Sequence, residues 1–219
     1  MNSCDQFLSS LTTENRNIVC RLDSAAKIQA FLDSVPYRPE DENYCPVSIF
    51  RDGKAHCFDG GLFAAACLRL IGHPPVIVQM IPWHDDDHIL AIYKRNGRFG
   101  AVAKSNFVGL RCREPVYASI RELIMSYFDV YFNMEFSFSL RGYSVPLSLV
   151  QFDRYNWMNS DAGAQVIASK LPTLRHRPIM DEKMIRELSK ADPLTFKAGM
   201  MITDMNGVYG HAEKSSSTH

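Results

Sequence analysis

Cys57 and His88 are the two residues of this chain whose types and order suit covalent chemistry. Cys57 stands in Lys54-Ala55-His56-Cys57-Phe58-Asp59-Gly60-Gly61 and leads into the apolar run Leu62 to Ile71. Unpaired N–H groups and the positive end of the macrodipole favour an anion at a helix start, and thiolates there have depressed pKa values. A cysteine so placed is a candidate nucleophile, and His88 stands at the edge of the strand that follows it in the chain. The other reading of the same cysteine is a small buried hydrophobe, the usual role of a free thiol. Asn106 is the candidate third member, with Ser105 as the alternative. A planar amide oxygen accepts well from an imidazole N–H, and Cys-His-Asn is a known variant of the triad. Hairpin register decides between the two. A two-residue Asn96-Gly97 turn sets His88 opposite Ser105, whereas a three-residue loop with a G1 bulge, or a bulge after Ala103, brings Asn106 to the histidine's face. Asn106 also suits a plain turn before Val108-Gly109.

A different chemistry is possible at His84-Asp85-Asp86-Asp87-His88, where two imidazoles and three carboxylates invite a metal-binding reading. Histidines at i and i+4 share a face only on a helix, and an acidic run before a strand is ordinarily a solvated loop. No metal and no cofactor is therefore expected, and metal binding stays as an alternative.

The elements that position these residues follow from pattern. From Phe58 to Ile71 only Asp59 and Arg69 are charged, so the helix lacks a polar face of ordinary width and is expected to be enclosed. Gly72, Pro74 and Pro75 end it. Two glycines in its first turn suggest the close passage of another backbone or of a substrate. Val76 to Ile81 reads as a strand, and Ile89 to Tyr93 with Phe99 to Ala103 flank Asn96-Gly97 as a hairpin. Ser24 to Leu32 reads as a short capped helix. Arg113-Glu114-Pro115 reads as the opening of a helix that carries Ile120, Leu123, Ile124, Tyr127 and Phe128. Phe136 to Phe152 suggests one or two strands or an extended arm, and residues 161–171 and 181–190 read as helices.

Composition bounds the partners. The chain has 24 Lys plus Arg against 24 Asp plus Glu, so a nucleic acid or an anionic membrane surface is not an expected partner. Met1 to Asn17 lacks the apolar run of a secretory signal, and no run approaches a membrane span, so a cytoplasmic protein is expected. The six cysteines include no C-x-x-C pair and are expected to be reduced.

Two segments in the same order carry a family resemblance. His56-Cys57-Phe58-Asp59-Gly60-Gly61 through Leu68-Arg69-Leu70-Ile71-Gly72-His73-Pro74-Pro75-Val76-Ile77-Val78 resembles the transglutaminase-like superfamily, where a nucleophilic cysteine begins a helix ending in an L-R-x-x-G-x-P turn. His88-Ile89-Leu90-Ala91-Ile92-Tyr93-Lys94-Arg95-Asn96-Gly97-Arg98-Phe99 is similar to that family's H-x-W-x-E-V-y-x-D-G-R-W hairpin, in which the histidine is the general base. The resemblance spans about residues 45–107 and implies an α+β, papain-like core: a buried helix with cysteine at its N-terminus, packed on an antiparallel sheet, with additional C-terminal helices. It implies acyl transfer or amide and peptide hydrolysis through a Cys57 thioester with His88 as base, on a peptide or amide-containing substrate. Two positions depart from the family, Ala103 at the carboxylate and Leu90 at the tryptophan. A catalytically inactive binding or scaffold domain is accordingly an alternative. The expected organisation is an N-terminal cover (1–40), the core (41–135), a C-terminal extension packed on it (136–210) and a disordered tail (211–219).

Overall fold

The computed structural model describes residues 2–40 and 42–209. The expected tail, 211–219, lies outside them. The helices are α1 (Ser3–Ser10), α2 (Thr13–Cys20), α3 (Ala25–Ser34), α4 (Ser48–Asp52), α5 (Cys57–Leu70), α6 (Ile120–Met125), α7 (Asp161–Lys170), α8 (Glu182–Glu187) and α9 (Pro193–Gly199). The strands are β1 (Val76–Pro82), β2 (His88–Arg95), β3 (Arg98–Val102), β4 (Arg113–Tyr117), β5 (Leu140–Ser144), β6 (Leu147–Ser148) and β7 (His176–Pro178). The pairings among these strands are antiparallel, in the order β4-β3-β2-β1-β5-β7, with β6 also on β1. The protein is thus a mixed α+β structure built on one antiparallel sheet. Among the described residues no helix is long and apolar enough to cross a membrane.

Helix α5 is the axis of the packing. Every residue from Cys57 to Leu68 is buried, as its nearly uncharged sequence requires. It ends in a Schellman motif: His73 N–H donates to Leu68 O, Gly72 N–H donates to Arg69 O, and Gly72 takes φ +93°, which only glycine adopts without strain. The two first-turn glycines answer to neighbours. A Cβ on Gly60 would stand 2.2 Å from Lys104 Cβ, and one on Gly61 would stand 2.6 Å from Ile89 Cγ2. The passing backbones are those of residue 104 and of β2.

The sheet separates two apolar clusters. Ile77, Ile89, Ala91, Tyr93 and Val102 face α5 together with α1, α3 and α7, whereas Val78, Met80, Leu90, Ile92 and Ala101 face α6 and Tyr127. Strand alternation accounts for the division, because neighbours along a strand point to opposite faces. The β2–β3 turn is the two-residue type expected, with Asn96 and Gly97 at φ 51° and 74° and Arg95 paired with Arg98.

One segment differs from the sequence expectation. Arg113 to Tyr117 is strand β4 rather than a helix opening; Pro115 is accommodated because β4 is an edge strand, where a missing N–H costs no ladder bond. The helix begins later, at the Ser119 cap, and Leu123, Ile124 and Tyr127 fill the second cluster. Ser48 to Phe50 lies in α4, with Val47 as its N-cap. Residues 2–20 form two capped helices whose Phe7, Leu11 and Val19 join the α5 cluster, and β5 to β7 extend the same sheet, so both flanks are continuous with the core.

Candidate active site

Cys57 is the first residue of α5 and His56 is its N-cap. The Asp59 carboxylate holds this turn in shape: Oδ2 accepts the His56 N–H at 3.2 Å and Oδ1 accepts the Tyr44 N–H at 2.8 Å. Arg38 Nε sits 3.2 Å from the same carboxylate. Asp59 is fully buried, and burial pushes its carboxyl up to about 6.

Cys57 Sγ lies 3.5 Å from His56 Nδ1 and 3.5 Å from the carbonyl oxygen of Asp87. The thiol is 5% exposed. Burial above all, then the charges of Asp86 and Asp59, push its pKa well up, against the Ile89 N–H that favours the thiolate. Burial and the neighbouring carboxylates thus oppose the thiolate that the helix start favours.

The wall facing Cys57 is the loop before β2. Tyr131 donates its hydroxyl proton to Asp86 O at 2.5 Å, and Trp83 N–H donates to Ser139 O at 2.8 Å. Ser139 Oγ donates to Asp85 Oδ2 at 2.6 Å, and burial pushes that carboxyl up to about 7. Segment 131–139 thereby fixes the acidic loop over the helix mouth. Between loop and helix is a cavity of about 210 Å³ with a polar wall of Asn43, His56, Cys57, Gln79, Asp86 and Asp87. Ala168, Leu171 and Pro172, at the end of α7, close its apolar side.

His88 is elsewhere. It pairs with Met80 in the β1–β2 register and so shares the face of Met80 and Leu90, away from α5. Its Nε2 is 2.7 Å from Leu110 O, which makes Nε2 the protonated nitrogen. It is buried, and desolvation pushes its pKa down to about 4, so the ring is neutral. The expected Cys57–His88 contact is therefore replaced by Cys57–His56, because alternation along β2 turns Ile89, not His88, toward the helix.

Asn106 does not orient His88. Its Nδ2 donates to Asp204 O at 2.8 Å and to Gly207 O at 3.1 Å, while its Oδ1 accepts the Asp204 N–H at 2.9 Å. The amide is saturated by segment 204–207, a partner far along the chain that hairpin arithmetic does not see. Ser105 Oγ accepts the Phe107 N–H. The residues of the metal reading also separate. His84 stacks on Trp83, Asp85 goes to Ser139, Asp87 to Gln79 and His88 to Leu110. Among the described residues no group of three or more His, Cys, Asp or Glu could hold a metal ion.

Gln79 was not singled out by sequence reasoning, and a signal for it exists. It is the single polar residue of Val76 to Ile81, and its pairing with Ile89 puts it on the α5 face.

No family model and no curated protein matches this chain. Among solved structures, one similar chain is LapG of Legionella pneumophila in an EGTA-treated form, at 14% identity and a TM-score of 0.35, covering 48% of this chain and 70% of that one. So loose a superposition carries no argument about activity.

Proposed function

We propose that this chain is a transglutaminase-like cysteine enzyme that hydrolyses or transfers an amide-linked acyl group through a thioester on Cys57. The observation that carries the reading is the Cys57–His56 contact at 3.5 Å at the mouth of a buried helix, beside an open cavity. In the tautomer with hydrogen on Nε2, His56 Nδ1 accepts the thiol proton as Sγ attacks the carbonyl carbon of the substrate. First-turn N–H groups of α5 other than that of Asp59, which the His56 side chain caps, are offered to the developing oxyanion. The imidazolium then returns its proton to the leaving amine as the C–N bond breaks, and water or a second amine releases the acyl group from sulfur. A thiol that is neutral at rest is compatible with this order, since the base acts as the nucleophile attacks.

A second reading, a catalytically silent binding domain, is favoured by the buried thiol and by the position of His88 on the other face. One experiment separates the two. The native protein is incubated with a panel of amide and ester acyl donors and followed by intact mass. An acyl adduct mapped to Cys57, absent in Cys57→Ala, supports the enzyme. Labelling confined to the exposed Cys20 and Cys112 supports the silent domain.

A further inference from the structure

Trp83 opens the loop before β2, yet its side chain, 42% exposed, lines a different cavity from Cys57. That cavity, of about 580 Å³, lies between segment 137–141, the end of β7 and α8. Phe138, Met180, Ile185 and Leu188 give it an apolar wall, and an apolar wall with a few fixed polar groups is the usual make-up of a small-molecule site. The polar groups here are two cations. Arg141 Nη1 donates to Phe138 O at 2.7 Å and to Leu140 O at 3.1 Å, and Cζ lies 5.6 Å from the centroid of the Trp83 ring. The two N–H groups of Nη1 are thereby spent, which fixes the guanidinium. Nε and Nη2 have no partner among the described residues, and neither is closed off from solvent. Lys190 Nζ donates to Ser137 Oγ at 2.7 Å and to Glu135 O at 2.9 Å. All four acceptors are neutral. Glu182 is the one acid of the lining, and among the described residues no ion pair joins it to either cation. Partial burial pushes the Arg141 pKa down against the pull of Glu182, and an opposite charge docked beside the guanidinium reverses that penalty. The parallel N–H donors of Nε and Nη2 match the two oxygens of a carboxylate.

We propose that this cavity is a binding site for a small amphiphilic carboxylate, with its oxygens on Arg141 Nε and Nη2, its charge shared with Lys190 and its apolar body against Trp83, Ile185 and Leu188. The carboxylate supplies the counter-charge that neither cation finds within the protein, and the apolar body covers the exposed indole. The site is independent of the chemistry of Cys57, since the two cavities have no lining residue in common.

The full chain is titrated with sodium octanoate, 1-octanol, n-octylammonium chloride and sodium acetate, with binding followed by calorimetry and by tryptophan fluorescence. Trp83 reports the cavity, because the other tryptophan, Trp157, is fully buried. Octanoate is expected to bind saturably, at least tenfold more tightly than each of the other three, with a change in emission that is absent in Trp83→Phe. Arg141→Met keeps an apolar stem and removes the charge. It is expected to weaken octanoate tenfold or more and to leave 1-octanol within twofold. Arg141 also caps two carbonyls, so a second variant spares it: Ile185→Glu puts a carboxylate into the cavity and is expected to abolish octanoate binding. If Arg141→Met does not fold, Ile185→Glu decides. Equal binding of octanoate and 1-octanol, no octanoate binding at millimolar concentration, or octanoate binding that is unchanged in the folded variants overturns the inference.

Discussion

The two faces of β2 hold the two residues that the sequence pairs, and they hold them under opposite conditions. On the α5 face, Cys57 opens onto a cavity rimmed by carboxylates and touches a partly exposed imidazole. On the other face, His88 is buried, with its ring N–H given to the carbonyl oxygen of Leu110. One face carries a cavity with a polar wall; the other carries a buried, neutral histidine. The difference teaches that a chain order of cysteine then histidine says little until the face of each side chain is known.

The largest effect that could break this comparison comes from the sulfur itself. Cys57→Ala is expected to abolish all adduct formation assigned to the site and to cost at most about 1 kcal/mol of stability, because little volume is removed. Acyl adducts that persist on another cysteine would move the reactive centre off the α5 face.

Next in size is the close approach that seats α5 on the strand ends. Gly60→Ala puts a Cβ against the Lys104 stem, and Lys104 cannot swing away without releasing the carbonyls of Leu32 and Val35 that its ammonium caps. A loss of about 3 kcal/mol in denaturant unfolding is expected. A neutral result would show that the helix mouth is looser than its packing.

The sealed face is tested by pH. The unfolded histidine titrates near 6.5 and the folded His88 at about 4. Between these values the unfolded chain binds the extra proton, so the stability contributed by neutral His88 is complete above 6.5 and is lost as pH falls toward 4. Asp59 and Asp85, pushed up to about 6 and about 7, have the opposite sign, since their folded forms bind the extra proton as pH falls. The His88 share is isolated by difference: His88→Gln is expected to lose about 2 kcal/mol less than the parent chain between pH 7 and pH 5. Equal losses would place His88 in contact with solvent.

The smallest effect sharpens the comparison most. His56→Ala is expected to slow iodoacetamide modification of Cys57 about tenfold, a difference of about 1.4 kcal/mol, while His88→Ala changes it less than twofold. The reverse order would restore the pairing read from the sequence and would require the His88 ring to leave Leu110.

Much of the scaffold was legible in the residues because local rules set it. The enclosed α5 followed from an almost uncharged run, its end from Gly72 and the prolines, and the β2–β3 turn from Asn96-Gly97, each specified by neighbours within a few positions. Cys57 at a helix mouth was legible for the same reason. The strand at Arg113 to Tyr117 was not, because a proline suits either a helix start or an edge strand and only the position of β4 in the sheet decides.

The sequence by itself determined the central helix, the cysteine that begins it and the hairpin beside it. Tertiary structure alone decided which groups meet that cysteine. Strand alternation is a local rule, but its phase is set by which face packs on α5, and Ile89 against Gly61 sets it so that Ile89 and Gln79 are on the helix side and His88 is not. The thiol's raised pKa has the same origin, since a helix start favours the anion locally whereas desolvation depends on what the rest of the chain places over it. The bonds of Asn106 to residues 204–207 likewise depend on chain that is distant in sequence and adjacent in space.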